Sequence, residues 1–247
     1  MALTIVGALT ASCHQRSTAS VPSDQQNPVQ PTPRIVDLPS QQQAPPAHAV
    51  TREPPTAVLT CPNQAGRRET AAEDGSMLGH LPYREARQGD LVRPPEGFGT
   101  GSCTRLHADA LAALDAMMAA ARAEDPAIAD AMVGLSCFRS IKRQADIFCS
   151  KPQLSFAERA EASAPPGYSE HATGYAIDFG DRTRPECDLE ACFAGTPVGQ
   201  WLAANAPRFG FVLSFPADNS QGVMYEPWHW RFEGTDKARA TFARAGN

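Results

Sequence analysis

Nine of the chain's 22 prolines fall between Pro22 and Pro55, and this clustering decides how much of the 247 residues can fold. The stretch VPSDQQNPVQPTPRIVDLPSQQQAPPAHAVTREPP interleaves them with Gln and Ser and has no helical or strand periodicity. Such a segment cannot bury enough apolar surface to offset its ordering entropy, so residues 14–60 are expected to form a disordered, partly polyproline-like tether. Residues 61–247 remain for one domain with its own hydrophobic core, order beginning between Cys61 and Tyr83.

Residues 1–12 (MALTIVGALTAS) are nearly all apolar or small and lead to Cys13. They read as the hydrophobic part of a secretory signal, without the Lys or Arg that normally precedes it. Ala11-Ser12-Cys13 resembles the end of a bacterial lipoprotein box, which would make Cys13 a lipid anchor, although Leu9 lies one place too far upstream. Residues 1–13 therefore point to export, periplasmic or outer-envelope associated. No apolar run approaches the roughly 20 residues of a membrane span. A net charge of −5 and the lack of a Lys/Arg cluster exclude nucleic acid and an anionic membrane surface as partners.

Six cysteines follow the tether: Cys61, Cys103, Cys137, Cys149, Cys187 and Cys192. An even set after an export signal reads as disulfides formed in an oxidising compartment. A zinc–thiolate site is the competing reading, but the sequence contains no CxxC. Fifteen pairings are open to six cysteines. Short spacing favours Cys187–Cys192, with Cys137–Cys149 second.

Leu106, Ala110, Leu111, Leu114, Met117, Met118 and Ala121 recur at helical spacing, predicting an amphipathic helix over 105–123. Residues 132–138 (MVGLSCF) read as a strand, and Ser140 as the cap of a helix running to about Cys149. Residues 175–179 (YAIDF) read as a strand, and Thr196-Pro197 as the start of a helix that Gly210 ends. Residues 211–215 and 228–232 are further strand candidates. Helices precede strands without regular βαβ alternation, which predicts an α+β domain with a small antiparallel sheet and helices packed around it.

Two segments carry the chemistry. In Ser169-Glu170-His171-Ala172-Thr173-Gly174-Tyr175-Ala176-Ile177-Asp178, an imidazole and a carboxylate stand seven residues apart. Asp178, between Ile177 and Phe179, needs a strong partner, because burying a carboxylate alone costs several kcal/mol. In Glu226-Pro227-Trp228-His229-Trp230, a histidine alternates with two tryptophans, and a glutamate lies three residues before it. One histidine from each segment plus Asp178 makes three ligands for a tetrahedral metal with a fourth position open, the pattern of catalytic zinc. Glu226 is the candidate proton acceptor, carried beside His229 by Pro227. Trp228 and Trp230 are expected to wall the site and pack the core. Of the other histidines, His14 and His48 lie in the tail, and His80 and His107 are assigned no catalytic role.

These motifs, SxHxxGxAxD and EPWHW, resemble those of the VanY-like zinc D-alanyl-D-alanine carboxypeptidases, whose fold group includes lysostaphin and the hedgehog signalling domain. A third match is Ser136-Cys137-Phe138-Arg139-Ser140 followed by Gln144, and the resemblance covers roughly residues 80–235. The cysteines are outside the general pattern of that family. The resemblance implies one zinc ion held by His171, Asp178 and His229, with Glu226 as general base and proton shuttle. It implies Arg139 at the substrate's terminal carboxylate or developing oxyanion, assisted there by Gln144 and Ser169. The implied substrate is a peptidoglycan stem peptide losing its C-terminal D-alanine, and a monomer is expected. An L,D-carboxypeptidase, a peptidoglycan endopeptidase and a non-catalytic zinc-bearing cell-wall module are alternatives on the same residues.

Overall fold

A computed structural model of the chain describes residues 57–243 apart from 63 and 65. The expected export segment, the Cys13 anchor and nearly all of the tether lie outside these residues. No helix among the described residues is long and apolar enough to cross a membrane.

The first long element follows from its side-chain period. Ala110, Leu114, Met117 and Ala121 are all fully buried, and the helix they define, α1, spans Ala108–Glu124, with the buried Leu106 of the predicted stripe just ahead of it. It starts later than the spacing predicted because His107 accepts a hydrogen bond from the Asp109 N–H and caps it. Before it come short strands: β1 (Val58–Leu59) paired with β2 (Glu69–Thr70), then β3 (Leu91–Val92), β4 (Gly99–Ser102) and β5 (Leu106–His107), with β5 on β3. A short helix α2 (Pro126–Ala131) leads into β6 (Met132–Ser136). Ser140 then caps α3 (Ile141–Phe148), as its sequence position predicted.

After α4 (Phe156–Ala160), a 3₁₀ turn (Glu170–Thr173) enters β7 (Ala176–Asp181). Gly174 makes that entry possible: it sits at φ +74°, and a Cβ there would lie 2.7 Å from Leu91 Cδ2. Thr196 caps α5 (Pro197–Asn205), one 3₁₀ turn continues to Phe209, and Gly210 ends it in the left-handed region. The chain closes with β8 (Phe211–Leu213), β9 (His229–Phe232) and α6 (Asp236–Ala243).

Five strands form the central sheet in the order β4–β6–β7–β9–β8. The domain is α+β, and every pair in this sheet is antiparallel except β4 on β6. That parallel edge was not foreseen, because GTGS carries no apolar alternation. On β7, Ile177 and Phe179 enter the same core cluster as Trp228, Trp230, Phe211 and the buried stripe of α1. The alternate residue Asp178 therefore faces away from that core. The tryptophans of the EPWHW segment are thus core residues.

The disulfides are Cys61–Cys149, Cys103–Cys137 and Cys187–Cys192. The short-range pair is as expected, whereas Cys137–Cys149 is corrected. α3 carries Cys149 away from the end of β6 towards a second, smaller core with Leu59, Cys61 and Phe156. Cys137 instead meets Cys103, because β4 lies beside β6. Non-reducing peptide mapping should return these three pairs. Cys61→Ser, which opens a link spanning 88 residues, should lower unfolding free energy in denaturant by about 2–5 kcal/mol.

Candidate metal centre

Strand register assembles the centre. Asp178 on β7 is directly opposite His229 on β9 and Ser136 on β6. His171 arrives from the 3₁₀ turn, where Gly174 reverses the chain so that the motif's histidine and aspartate converge. One ligand atom from each of His171, Asp178 and His229 lies within 4.8 Å of the others, and all three residues are buried. The carboxylate receives both rings: His171 Nε2 lies 3.0 Å from Asp178 Oδ2, and His229 Nδ1 lies 2.8 Å from Oδ1. The two rings meet edge to face at 4.9 Å between centroids.

Each ring is also held from behind. His171 Nδ1 is 2.7 Å from the Cys137 carbonyl, an acceptor, so this nitrogen carries a proton and Nε2 is the one that a bound cation would engage in place of a proton. His229 Nε2 is 2.9 Å from Glu170 Oε2. Two imidazole nitrogens and a carboxylate oxygen, with no thiolate, form a donor set suited to zinc.

The electrostatics separate the carboxylates. Burial alone would raise the pKa of Asp178, but the charge and hydrogen bonds of His171 and His229 hold it well below the usual carboxylate range. Burial favours neutral His229, yet its bonds to Asp178 and Glu170 prevail and push its pKa up to about 10. A divalent cation at these ligands would take the place of that proton. Burial pulls His171 down from its ordinary value.

Glu226 belongs to the same cluster. Its carbonyl accepts the His229 N–H at 3.1 Å, closing a four-residue turn with Pro227 at the second position, where proline is favoured. Trp230 Nε1 donates to the Pro227 carbonyl and braces the turn. Glu226 Oε2 thereby comes to 3.8 Å from His229 Nδ1. Its carboxyl is pushed up to about 7, chiefly by burial, against the positive charge of His229 and with help from Asp178 and Glu170.

Arg139 follows β6, and its N–H donates to the His171 carbonyl. Its buried Nε has no hydrogen-bond partner, and its guanidinium lies in the field of Asp178 and Glu226. Gln144 is less suited to the place expected of it. Nε2 donates to Ser163 Oγ at 3.2 Å and to the Ala164 carbonyl at 2.5 Å. Both amide protons are used, so its free, buried Oε1 offers a second acceptor rather than a donor for a carboxylate. Ser169 is buried two residues before His171. His80 bonds the Ala160 carbonyl, and His107 caps α1 and stacks on Tyr175.

Glu170 escaped the sequence reading. The motif as read fixes Ser169 and His171 but not the residue between them, and the partner of Glu170, Arg231, lies 61 residues away. Only the fold brings the two together.

A family model described as VanY, D-alanyl-D-alanine carboxypeptidase, matches residues 103–235. The chain belongs to this family. His171, Asp178, His229, Glu226 and Arg139 all lie inside this match. Among relatives, the chain is 35% identical over 156 residues to YodJ of Bacillus subtilis (strain 168), covering 61% of this chain and 55% of that protein. It is 40% identical over 78 residues to a D-alanyl-D-alanine carboxypeptidase of Enterococcus faecium, covering 30% of this chain and 23% of that one. It therefore spans from about a quarter to just over half the length of these relatives. The solved structure of the LdcB LD-carboxypeptidase, described for its peptidoglycan recognition, superposes with a TM-score of 0.54 at 32% identity, over 65% of this chain and 75% of that chain.

If the three residues act as one ligand set, His171→Ala should bind less than a tenth of the zinc of the unaltered protein after dialysis against the metal, by elemental analysis. Full zinc content in that variant would remove His171 from the set.

Proposed function

We propose that the chain is a zinc-dependent D-alanyl-D-alanine carboxypeptidase that removes the C-terminal D-alanine from peptidoglycan stem peptides. The observation that carries this reading is the juxtaposition of the His171–Asp178–His229 donor set with the Glu226 carboxyl, inside a VanY family match. Zinc, when bound by these three residues, acts as a Lewis acid on the scissile carbonyl and lowers the pKa of a coordinated water.

Glu226 does the proton work. A carboxyl with a pKa near 7 is balanced between taking a proton from the attacking water and returning it to the departing amine. Arg139 binds the terminal carboxylate or the developing oxyanion through its forked N–H donors, and its unpartnered Nε is consistent with a ligand there. Ser169 assists at the same end. Gln144 acts one step back, holding residues 163 and 164 in place with both amide protons.

The reaction belongs outside the cytoplasm, where stem peptides are exposed, and three disulfides suit an oxidising compartment. The likeness to LdcB favours a second reading on the same residues, release of D-alanine from an L,D bond.

The deciding assay incubates the zinc-loaded protein with pentapeptide and tetrapeptide stems and identifies the released residue by mass spectrometry. D-Alanine from the pentapeptide supports the D,D reading, and release from the tetrapeptide alone supports the L,D reading. No release from either argues for a binding module. Glu226→Gln should reduce kcat by about 10²–10⁴-fold with zinc content unchanged; loss of the metal would make Glu226 a ligand instead. Amidating the peptide's C-terminus should lower kcat/KM by about 10- to 100-fold through the lost charged bond to Arg139. Equal cleavage of both peptides would show that Arg139 does not read the carboxylate.

A further inference from the structure

Glu170 adjoins His171 in the chain but aims its carboxylate at His229. It is 2% exposed and accepts four hydrogen bonds. Oε2 takes His229 Nε2 at 2.9 Å and Ser214 Oγ at 2.6 Å, while Oε1 takes Arg231 at 2.9 Å and the Tyr83 hydroxyl at 3.3 Å. Those donors come from β9, from the end of β8 and from the segment ahead of β3, so the carboxylate is held from several sides. Its acceptor sites are filled, and it has no freedom to swing away from the imidazole.

An imidazole that ligates through Nδ1 must carry its proton on Nε2. The nitrogen of His229 that faces Asp178 is Nδ1, and the group opposite Nε2 is a fixed carboxylate. His171 shows the same device with the nitrogens exchanged and a backbone carbonyl as acceptor. We propose that Glu170 is a positioning residue of the metal centre: it fixes the Nε2–H form and the orientation of the His229 ring, and its charge strengthens Nδ1 as a donor. The inference rests on the zinc reading above and assigns Glu170 no contact with substrate.

A purely structural ion pair with Arg231 is the competing explanation. Arg231 has a second carboxylate in Glu233, at 2.5 Å, so it does not depend on Glu170 alone. Among the described residues, the His229 ring has no such substitute behind Nε2.

Two measurements on the full chain test the proposal. Chelator competition gives the zinc dissociation constant of the unaltered protein, of Glu170→Gln and of Tyr83→Phe, a control that removes another contact to Glu170 without touching His229. Glu170→Gln should bind zinc about 10- to 100-fold more weakly, with Tyr83→Phe within about twofold of the unaltered protein. Nitrogen-15 NMR of the unaltered zinc-loaded protein should find the His229 proton on Nε2, a readout that survives even if the variant fails to fold. Unchanged zinc affinity in folded Glu170→Gln, or a proton on Nδ1, overturns the role of Glu170 and leaves the zinc reading standing. An unaltered protein that binds no zinc overturns both.

Discussion

A carboxylate in the middle of a sheet is the constraint around which this domain is arranged. Asp178 is buried on β7 between Ile177 and Phe179, two core residues. Left unpaired it would cost several kcal/mol. Its partners are two imidazoles 58 positions apart, so neutralising it requires both the β7–β9 register and the turn that ends at Gly174. The interaction that lets the strand fold is thus the one that gathers the ligand atoms.

Around that carboxylate the surroundings divide otherwise similar acids by task. Asp178 and Glu170 are stripped of water but surrounded by donors, and both stay ionised, Glu170 at about 2 despite its burial. Glu226 is also buried but has only the more distant charges of His229 and Arg139 to help it, and it rises to about 7. Two carboxylates fit to hold charge and one fit to exchange a proton is a division that would suit the metal-assisted hydrolysis proposed above. It arises from hydrogen-bond supply, since all three groups are buried.

Much of the scaffold was legible because its signals are local. The buried stripe of α1, the Ser140 and Thr196 caps and the alternation of Trp228, His229 and Trp230 each announce an element within a few residues. The grouping of His171, Asp178 and His229 was legible for a different reason: two short motifs carry these side chains at fixed spacing. What stayed hidden depends on contacts between distant segments. The parallel edge β4 has no apolar period, and Cys61 finds Cys149 across 88 positions through the packing of the smaller core. Glu170 looks like any polar residue in a loop until β9 and Ser214 close over it.

Cys137 joins two of these threads. Its sulfur is tied to Cys103 on the strand-edge side, and its carbonyl receives the His171 Nδ1 proton. A bond pair that touches none of the ligands is therefore mechanically in series with one of them through a single peptide unit. The covalent bond that pins β4 to the end of β6 thus also anchors the carbonyl against which the His171 ring is set.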